Sequence, residues 1–368
     1  MAKPAKKRKR VGKLSAAQDL ANIVNSSLGK AVVKLGADPS FEIVRIPSGS
    51  LVIDRITGGG FALGRSVELY GDESACKSFI VYRTMALSQQ RGNLCALIDP
   101  ERSFDPDWFR HLGGIPEELL LYPDRDSDVA EFTADEAIGV MLTLAEHARE
   151  SNLEVVGIDS VAALVPAEEK SKDPREEPRV AGQARMMSRA LRRITAANSR
   201  TLYLWINQER MNINMTFGGS PKTTTGGRAL KFYATSRINL RRAHKVTEAR
   251  KQADRGELKS KDVPVGNWIQ ARSEKDKSTR PFRTGMFTFD NKNACIDLAS
   301  EIIQLGLEDD LIEKNSNTYR YEDLAGQEWK GTIKIFKGHL RNNPDLQEEL
   351  IEAISDMTVE LSRVGADD

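Results

Sequence analysis

Four stretches of almost unbroken apolar residues set the frame: "SVELYG" at 66–71, "NLCALID" at 93–99, "LEVVGID" at 153–159 and "RTLYLWINQ" at 200–208. A strand with only one covered face alternates apolar and polar residues. A near-continuous apolar run implies burial on both faces, the condition of a parallel sheet between two layers of helices. The segments between the runs supply those helices. Positions 77–91 read as a helix stopped by Gly92, and Thr133 with Glu136 forms a capping box opening a helix to about 150. In 179–198, Val180, Ala184, Met187, Leu191 and Ile194 recur at helical spacing. The expected fold class is α/β, with a mostly parallel twisted sheet flanked by helices.

Between the first run and the first of these helices lies "GDESACKS", residues 71–78. A glycine, intervening small or polar residues, then Lys77 and Ser78 outline a phosphate-cradling loop, with Cys76 where the motif has a second glycine. The relaxed pattern arises by chance in roughly one chain in five of this length, so its strand–loop–helix setting has to carry the inference. Polar residues also end the other runs: Asp99 with Glu101, Asp159, and Gln208. In an open parallel sheet those carboxyl ends share one edge, where ligands bind. At that edge Lys77 suits the β- and γ-phosphates, Ser78 a Mg²⁺ ion and Asp159 the same metal. Glu101 suits activation of a water, and Gln208 suits a hydrogen bond to the γ-phosphate. Taken singly, each acid reads better as a helix cap or a surface ion partner; it is the set that points to a site.

The chain of 368 residues is 40% hydrophobic and 29% charged, enough for one large domain and a smaller one or two. No apolar run has the length of a membrane span. No apolar stretch follows the N-terminal basic residues, as a secretory signal would require. The cysteines, Cys76, Cys95 and Cys295, are odd in number and widely spaced. Free thiols in a reducing cytoplasm fit them better than disulfides or a metal site. Net charge is +1, so only local charge is informative. "KPAKKRKRVGK" at 3–13 fits a solvated tail, a non-specific nucleic-acid arm or a nuclear address. Residues 15–35 read as a helix and then a short strand, "KAVVKLG".

Two segments are long for connections inside a compact domain. In "ERMNINMTFGGSPKTTTGGR", 209–228, Met211, Ile213, Met215 and Phe217 alternate with polar residues. That suits a half-buried hairpin, or a mobile loop carrying apolar wedges for base steps. "VPAEEKSKDPREEPRVAG", 165–182, leads into a helix bearing Arg179, Arg185, Arg189, Arg192 and Arg193. It suits a solvated face or a groove for a polyanion.

These segments in this order resemble the RecA-type strand-exchange recombinases. "GSLVID", "ELYGDES", "DPE", "IDSVAALVP", "ARMMS", "INQ", "TTTGG" and "ALKFYA" carry the resemblance, which runs from about residue 17 to 355. "LGLEDDLIEKNSNTYRYED" and "HLRNNPDLQEELIEAI" look like that family's small α/β C-terminal domain. The resemblance implies an ATP-dependent helical filament on single-stranded DNA, which pairs that strand with homologous double-stranded DNA and hydrolyses ATP with Mg²⁺. It implies an organisation of a basic flexible tail (1–14), a helix and strand for subunit contact (15–45), an ATPase core with two DNA-binding loops (46–288), a small C-terminal domain (289–358) and a short tail (359–368).

By motif position, Gly71, Asp72, Glu73, Ser74, Ala75, Cys76, Lys77 and Ser78 take the phosphate loop, and Ser78 with Asp159 the metal. Glu101 takes the catalytic glutamate, and Gln208 the γ-phosphate sensor. Asp105 and Trp108 flank the adenine. Arg185, Ser188, Arg192, Met211, Asn212, Ile213, Thr225, Gly226 and Gly227 fall at DNA-contacting positions. Lys275 and Lys277 match lysines that reach the neighbouring subunit's ATP, and Phe232 matches a subunit-contact residue. The chain departs from the pattern at Cys76, in a longer and more charged stretch at 243–264, and in ending at "GADD" without a long acidic tail. Two other functions remain open: a nucleotide-binding DNA filament with negligible hydrolysis, and a ring helicase on the same core.

Overall fold

The computed structural model describes residues 5–123, 133–170, 180–198, 200–211, 222–225, 227, 229–254 and 257–362. The chain divides into two compact units, Met1–Val44 and Arg45–Asp368.

In the first unit, helix α1 spans Ala5–Leu28 and a single 3-10 turn follows at Pro39–Phe41. The helix was expected from about residue 15, behind a flexible tail. It starts ten residues earlier because the basic block is built from good helix formers. The expected strand "KAVVKLG" is absent. Asn25 Oδ1 accepts the N–H groups of Val32 and Val33 at 2.9 and 2.8 Å, and Asn25 Nδ2 donates to Val33 O at 2.9 Å. One side chain thus takes the backbone groups that a strand partner would otherwise bond. Leu20, Ile23, Val32 and Val33 stay exposed.

The second unit opens with β1 (Arg45–Ile46), α2 (Leu51–Thr57) and β2 (Phe61–Ala62), then β3 (Ser66–Gly71), α3 (Lys77–Gln90), β4 (Leu94–Ile98), α4 (Pro106–His111) and β5 (Leu119–Tyr122). It continues through α5 (Ala134–Ser151), β6 (Leu153–Ile158), α6 (Ala167–Lys170), α7 (Val180–Ala197), β7 (Leu202–Met211), β8 (Lys222–Thr224) and α8 (Ala229–Tyr233). Two long strands, β9 (Ser236–Asp254) and β10 (Glu257–Asp276), precede β11 (Thr284–Asp290) and β12 (Cys295–Ile296). The chain ends with α9 (Leu298–Glu308), β13 (Glu313–Asn315), β14 (Thr318–Glu322), β15 (Glu328–Gly331), α10 (Ile333–Asn342) and α11 (Pro344–Ser362).

The main sheet runs β12-β11-β10-β9-β3-β7-β6-β4-β5, with β8 paired to β7. The strands from β9 to β5 along this order pair in parallel, and β10, β11 and β12 add antiparallel. The apolar runs are the inner strands, as their two-sided burial requires. Their side chains alternate between two cores. Val67, Leu69, Leu97, Leu204 and Ile206 join the core under α2, α3 and α9, while Ile98, Val156, Tyr203 and Trp205 join the core under α5 and α7. Trp205 is wholly buried. Truncating it to alanine would cost on the order of 3–5 kcal/mol.

The C-terminal segment carries its own sheet, β13-β14-β15, yet Ile302, Phe336, Leu350 and Ile354 belong to the same core as β3 and α3. Buried polar contacts fasten it. Glu301 accepts Ser50 Oγ at 2.5 Å and Leu51 N at 3.0 Å, capping the start of α2, and Arg55 pairs with Asp309. The stretch at 243–264 proves to be a two-stranded ribbon. Beyond Leu240 on β9 and before Gly266 on β10, the two strands pair only with each other.

Candidate functional site

The loop after β3 turns sharply into α3 because its backbone takes left-handed dihedrals, with Gly71 at φ 138°, Ser74 at 54° and Cys76 at 64°. Glycine at 71 is required by space as well. A Cβ there would collide with the backbone carbonyl of Leu240 on the neighbouring strand. The turn aims backbone N–H groups at the N-terminus of α3, an anion-binding arrangement. Lys77, 8% exposed, folds back so that its ammonium donates to Asp72 O at 2.6 Å and Gly71 O at 3.3 Å. Burial pushes the Lys77 ammonium below its ordinary value, against the pull of Asp159, Asp72 and Glu73.

Asp159 lies just past the end of β6 and is 7% exposed. Burial raises its carboxyl to about 6; a hydrogen bond from Ser78 works the other way, and the nearby Glu101 and Asp99 raise it further. Ser78 and Asp159 are therefore brought together, as a Mg²⁺ ion held by one hydroxyl, one carboxylate and phosphate oxygens requires. The fit is electrostatic as well: a cation would offset the crowding of Asp159, Glu101 and Asp99. Glu101 Oε1 accepts Ser160 Oγ at 2.6 Å, which ties the β4 edge to the β6 edge. Asp99 does structural work: its carboxylate takes Phe104 N at 2.8 Å and Ser103 Oγ at 3.3 Å. Gln208 is the register partner of Gly71 across β3 and β7. Lys77, Ser78, Asp159, Glu101 and Gln208 therefore share one edge.

Asp105 is the N-cap of α4, accepting Asp107 N at 2.8 Å and Trp108 N at 3.2 Å, and so fixes the backbone of Trp108. The Trp108 ring stacks on His111 at 5.4 Å. Sequence reasoning missed His111, whose one signal is its placement three residues after Trp108, one helical turn on.

The Cys76 thiol departs from the general behaviour of its position. A helix N-terminus beside Lys77 should favour the thiolate. Burial dominates instead and pushes the thiol up to about 12, with Lys77 only a partial offset. All three cysteines are free, as expected.

Of the expected DNA positions, Asn212, Ile213 and Gly226 lie outside the described residues. Met211 ends β7 opposite Lys222 of β8, so the roots of the 209–228 segment form a hairpin. Gly227, at φ 74°, closes on α7: a Cβ there would lie 2.7 Å from that of Ala184. This brings Gly227 to the helix that carries Arg185, Ser188 and Arg192, with both arginines exposed. Arg185, Arg189 and Arg193 also line a groove of about 480 Å³ against α5, shared with Asp135 and Glu146. The arginine-rich helix is therefore not an uninterrupted cationic face. Phe232 is 67% exposed on α8. Lys275 Nζ donates to Lys231 O at 2.6 Å and Phe232 O at 3.1 Å, and Lys277 Nζ to Phe232 O at 3.1 Å, so both lysines sit at the α8 C-terminus.

A phosphate-type loop between strand and helix, with acids at the adjoining strand ends of a parallel sheet, defines a P-loop α/β core. Comparison with known proteins narrows the class. The family model described as the RecA N-terminal domain matches residues 15–291. The chain is 34% identical to Protein RecA of Rickettsia canadensis over 94% of this chain and 93% of that one. It is 35% identical to Protein RecA of Mesorhizobium japonicum over 93% of this chain and 87% of that one. The chain belongs to the RecA family, the recombinases of DNA recombination and repair. No helix among the described residues is long and apolar enough to cross a membrane.

Proposed function

We propose that the chain is a DNA-dependent ATPase that assembles as a helical filament on single-stranded DNA and exchanges that strand with homologous double-stranded DNA, in the cytoplasm. One observation carries this reading: the strand that brings Gln208 beside Gly71 runs directly into the 209–228 segment. A phosphate bonded to Gln208 would thereby act on the backbone that leads to DNA.

In this reading residues 71–78 would hold the phosphates of ATP and Trp108 its adenine, and Ser78 and Asp159 would hold Mg²⁺. Lys77 exchanges its bonds to Asp72 O and Gly71 O for phosphate oxygens. When bound, Mg²⁺ neutralises developing charge on the transferred phosphoryl group. Glu101, oriented by Ser160, takes the proton of the attacking water. Arg185, Ser188, Arg192, Thr225 and the 209–228 segment hold the DNA backbone. Lys275 and Lys277 serve the neighbouring subunit's nucleotide, and the exposed apolar residues of the first unit, with Phe232, make the subunit contact.

The test is ATP hydrolysis with and without single-stranded DNA, run beside strand exchange, for the parent and Lys77→Ala. The expected outcome is DNA-stimulated turnover and exchange in the parent, with turnover lost in the variant. Turnover of the variant at the parent rate would remove residues 71–78 from the site. The left-handed Cys76 favours a second reading, a filament that binds nucleotide with negligible hydrolysis. Exchange without turnover in the same assay selects it.

A further inference from the structure

A carboxylate sits in the middle of the main sheet. Glu68 on β3 is wholly enclosed, where an unpaired carboxylate would give up its charge. It is paired twice. Arg237 Nε on β9 donates to Oε2, and Asn207 Nδ2 on β7 donates to Oε1 at 2.9 Å. Register explains the first bond, because Glu68 and Arg237 are direct partners across β3 and β9.

The pair reaches in two directions. On one side, Asn207 Nδ2 also donates to Thr225 O at 3.0 Å, and Asn207 Oδ1 takes Gln208 N at 2.9 Å. On the other side, Arg237 is the register partner of Lys275 on β10. Its guanidinium lies 4.5 Å over the Tyr70 ring, and the Tyr70 hydroxyl donates to Glu274 at 2.6 Å. Two cations thus oppose each other across β9 and β10, an arrangement that disfavours strand pairing. Glu68 is the anion that offsets it. The Lys275 ammonium is pushed down to about 8, by burial first, then by Lys277 and Arg237, while Glu68 works in the opposite sense.

From this geometry we infer that Glu68 and Arg237 are positioning residues. One buried ion pair sets the strand end that presents Gln208 to the chain's own nucleotide, and also the strand end that presents Lys275 and Lys277 to the neighbour's. The inference rests on the roles proposed above for Gln208 and the two lysines. It adds a path of hydrogen bonds from Thr225 through Asn207 and Glu68 to Arg237, continued to Lys275 by strand register, through which occupancy of one site biases the next.

The experiment is a kinetic cycle on DNA-stimulated ATP hydrolysis. It compares the parent, Glu68→Gln with Arg237→Gln, Lys275→Ala with Lys277→Ala, and all four changes together. The amide pair removes both buried charges at once; Gln keeps the size of Glu68, and at 237 it is shorter but leaves an N–H donor facing position 68. Its kcat should fall about tenfold with KM within about twofold, and it should slow the lysine variant no further, because residues acting as a unit are not additive. Losses that multiply overturn the inference, as does an amide pair with the parent's kcat. A lysine variant as fast as the parent overturns the proposed lysine role and this inference together. Thermal midpoint and nucleotide binding report folding. If the amide pair does not fold, Arg237→Lys goes through the same cycle, where multiplied losses overturn the inference and a smaller, non-additive loss supports it.

Discussion

The hydroxyl of Ser160 donates a 2.6 Å hydrogen bond to Glu101, joining the strand end that carries the proposed water-activating carboxylate to the one that carries Asp159. Glu101 is otherwise exposed, so this bond is what orients it. Glu101→Gln should abolish turnover while leaving nucleotide binding intact. Ser160→Ala should lower kcat about tenfold with little change in KM, because it frees the carboxylate without moving the phosphate loop. Steady-state kinetics check both. A Ser160→Ala enzyme at the parent rate would show that the bond has no part in orienting Glu101.

Cys76 holds a left-handed backbone with a Cβ attached. That conformation costs an L-residue roughly 1–2 kcal/mol. Cys76→Gly should therefore raise the thermal midpoint, by a few degrees at most, since glycine loses more chain entropy on folding. A midpoint equal to or below the parent's would show that the loop carries no strain at this residue. With its thiol pushed up to about 12, Cys76 should also resist alkylation at pH 7 and gain reactivity only as pH rises. Mass spectrometry of the iodoacetamide-treated protein reads this directly.

If the α7 arginines meet DNA phosphates as proposed, DNA affinity should fall steeply with salt, through counterion release, and depend little on sequence. Arg192→Ala should lower the slope of log affinity against log salt by about one. Titration of a fluorescent oligonucleotide at several salt concentrations measures it, and an unchanged slope would remove Arg192 from the phosphate contacts.

Glu301 caps α2 from the C-terminal segment, and burial raises its carboxyl to about 8. Buried Asp54 is raised to about 6. Groups whose folded values lie above their unfolded ones make the folded state bind more protons. Their contribution to stability is complete at acid pH, below their unfolded values, and is lost as pH rises through about 6 for Asp54 and about 8 for Glu301. Glu301→Gln should flatten the upper part of that decline. Thermal midpoints of both proteins from pH 5 to pH 9 test it; parallel curves would mean that Glu301 does not titrate in this window.

The sheet, and the edge that gathers Lys77, Asp159, Glu101 and Gln208, were legible because two-sided burial writes itself as unbroken apolar runs, and because three of the four runs end on polar residues. What escaped reading depends on relations between distant residues. Nothing near Glu301 in sequence announces Ser50 as its partner. The sign of the Cys76 shift turned on how deeply the loop is enclosed, which a local charge pattern does not report. "KAVVKLG" has strand composition, yet Asn25 of the preceding helix takes the backbone groups of Val32 and Val33. The reverse happened at 243–264, where a charged, unpatterned stretch forms the longest strands of the fold.

That ribbon is joined to the sheet like a branch to a trunk. From Val246 to Asp254 it extends about 30 Å, and every ladder bond along this length is internal to the ribbon. Shortening it to a tight turn would remove rungs only from the ladder between β9 and β10, and none from the pairing of β3 with β7, the strands that carry Gly71 and Gln208. The length of the ribbon and the ladder beneath the phosphate loop are thus set independently, as an arm's reach is independent of the shoulder that carries it.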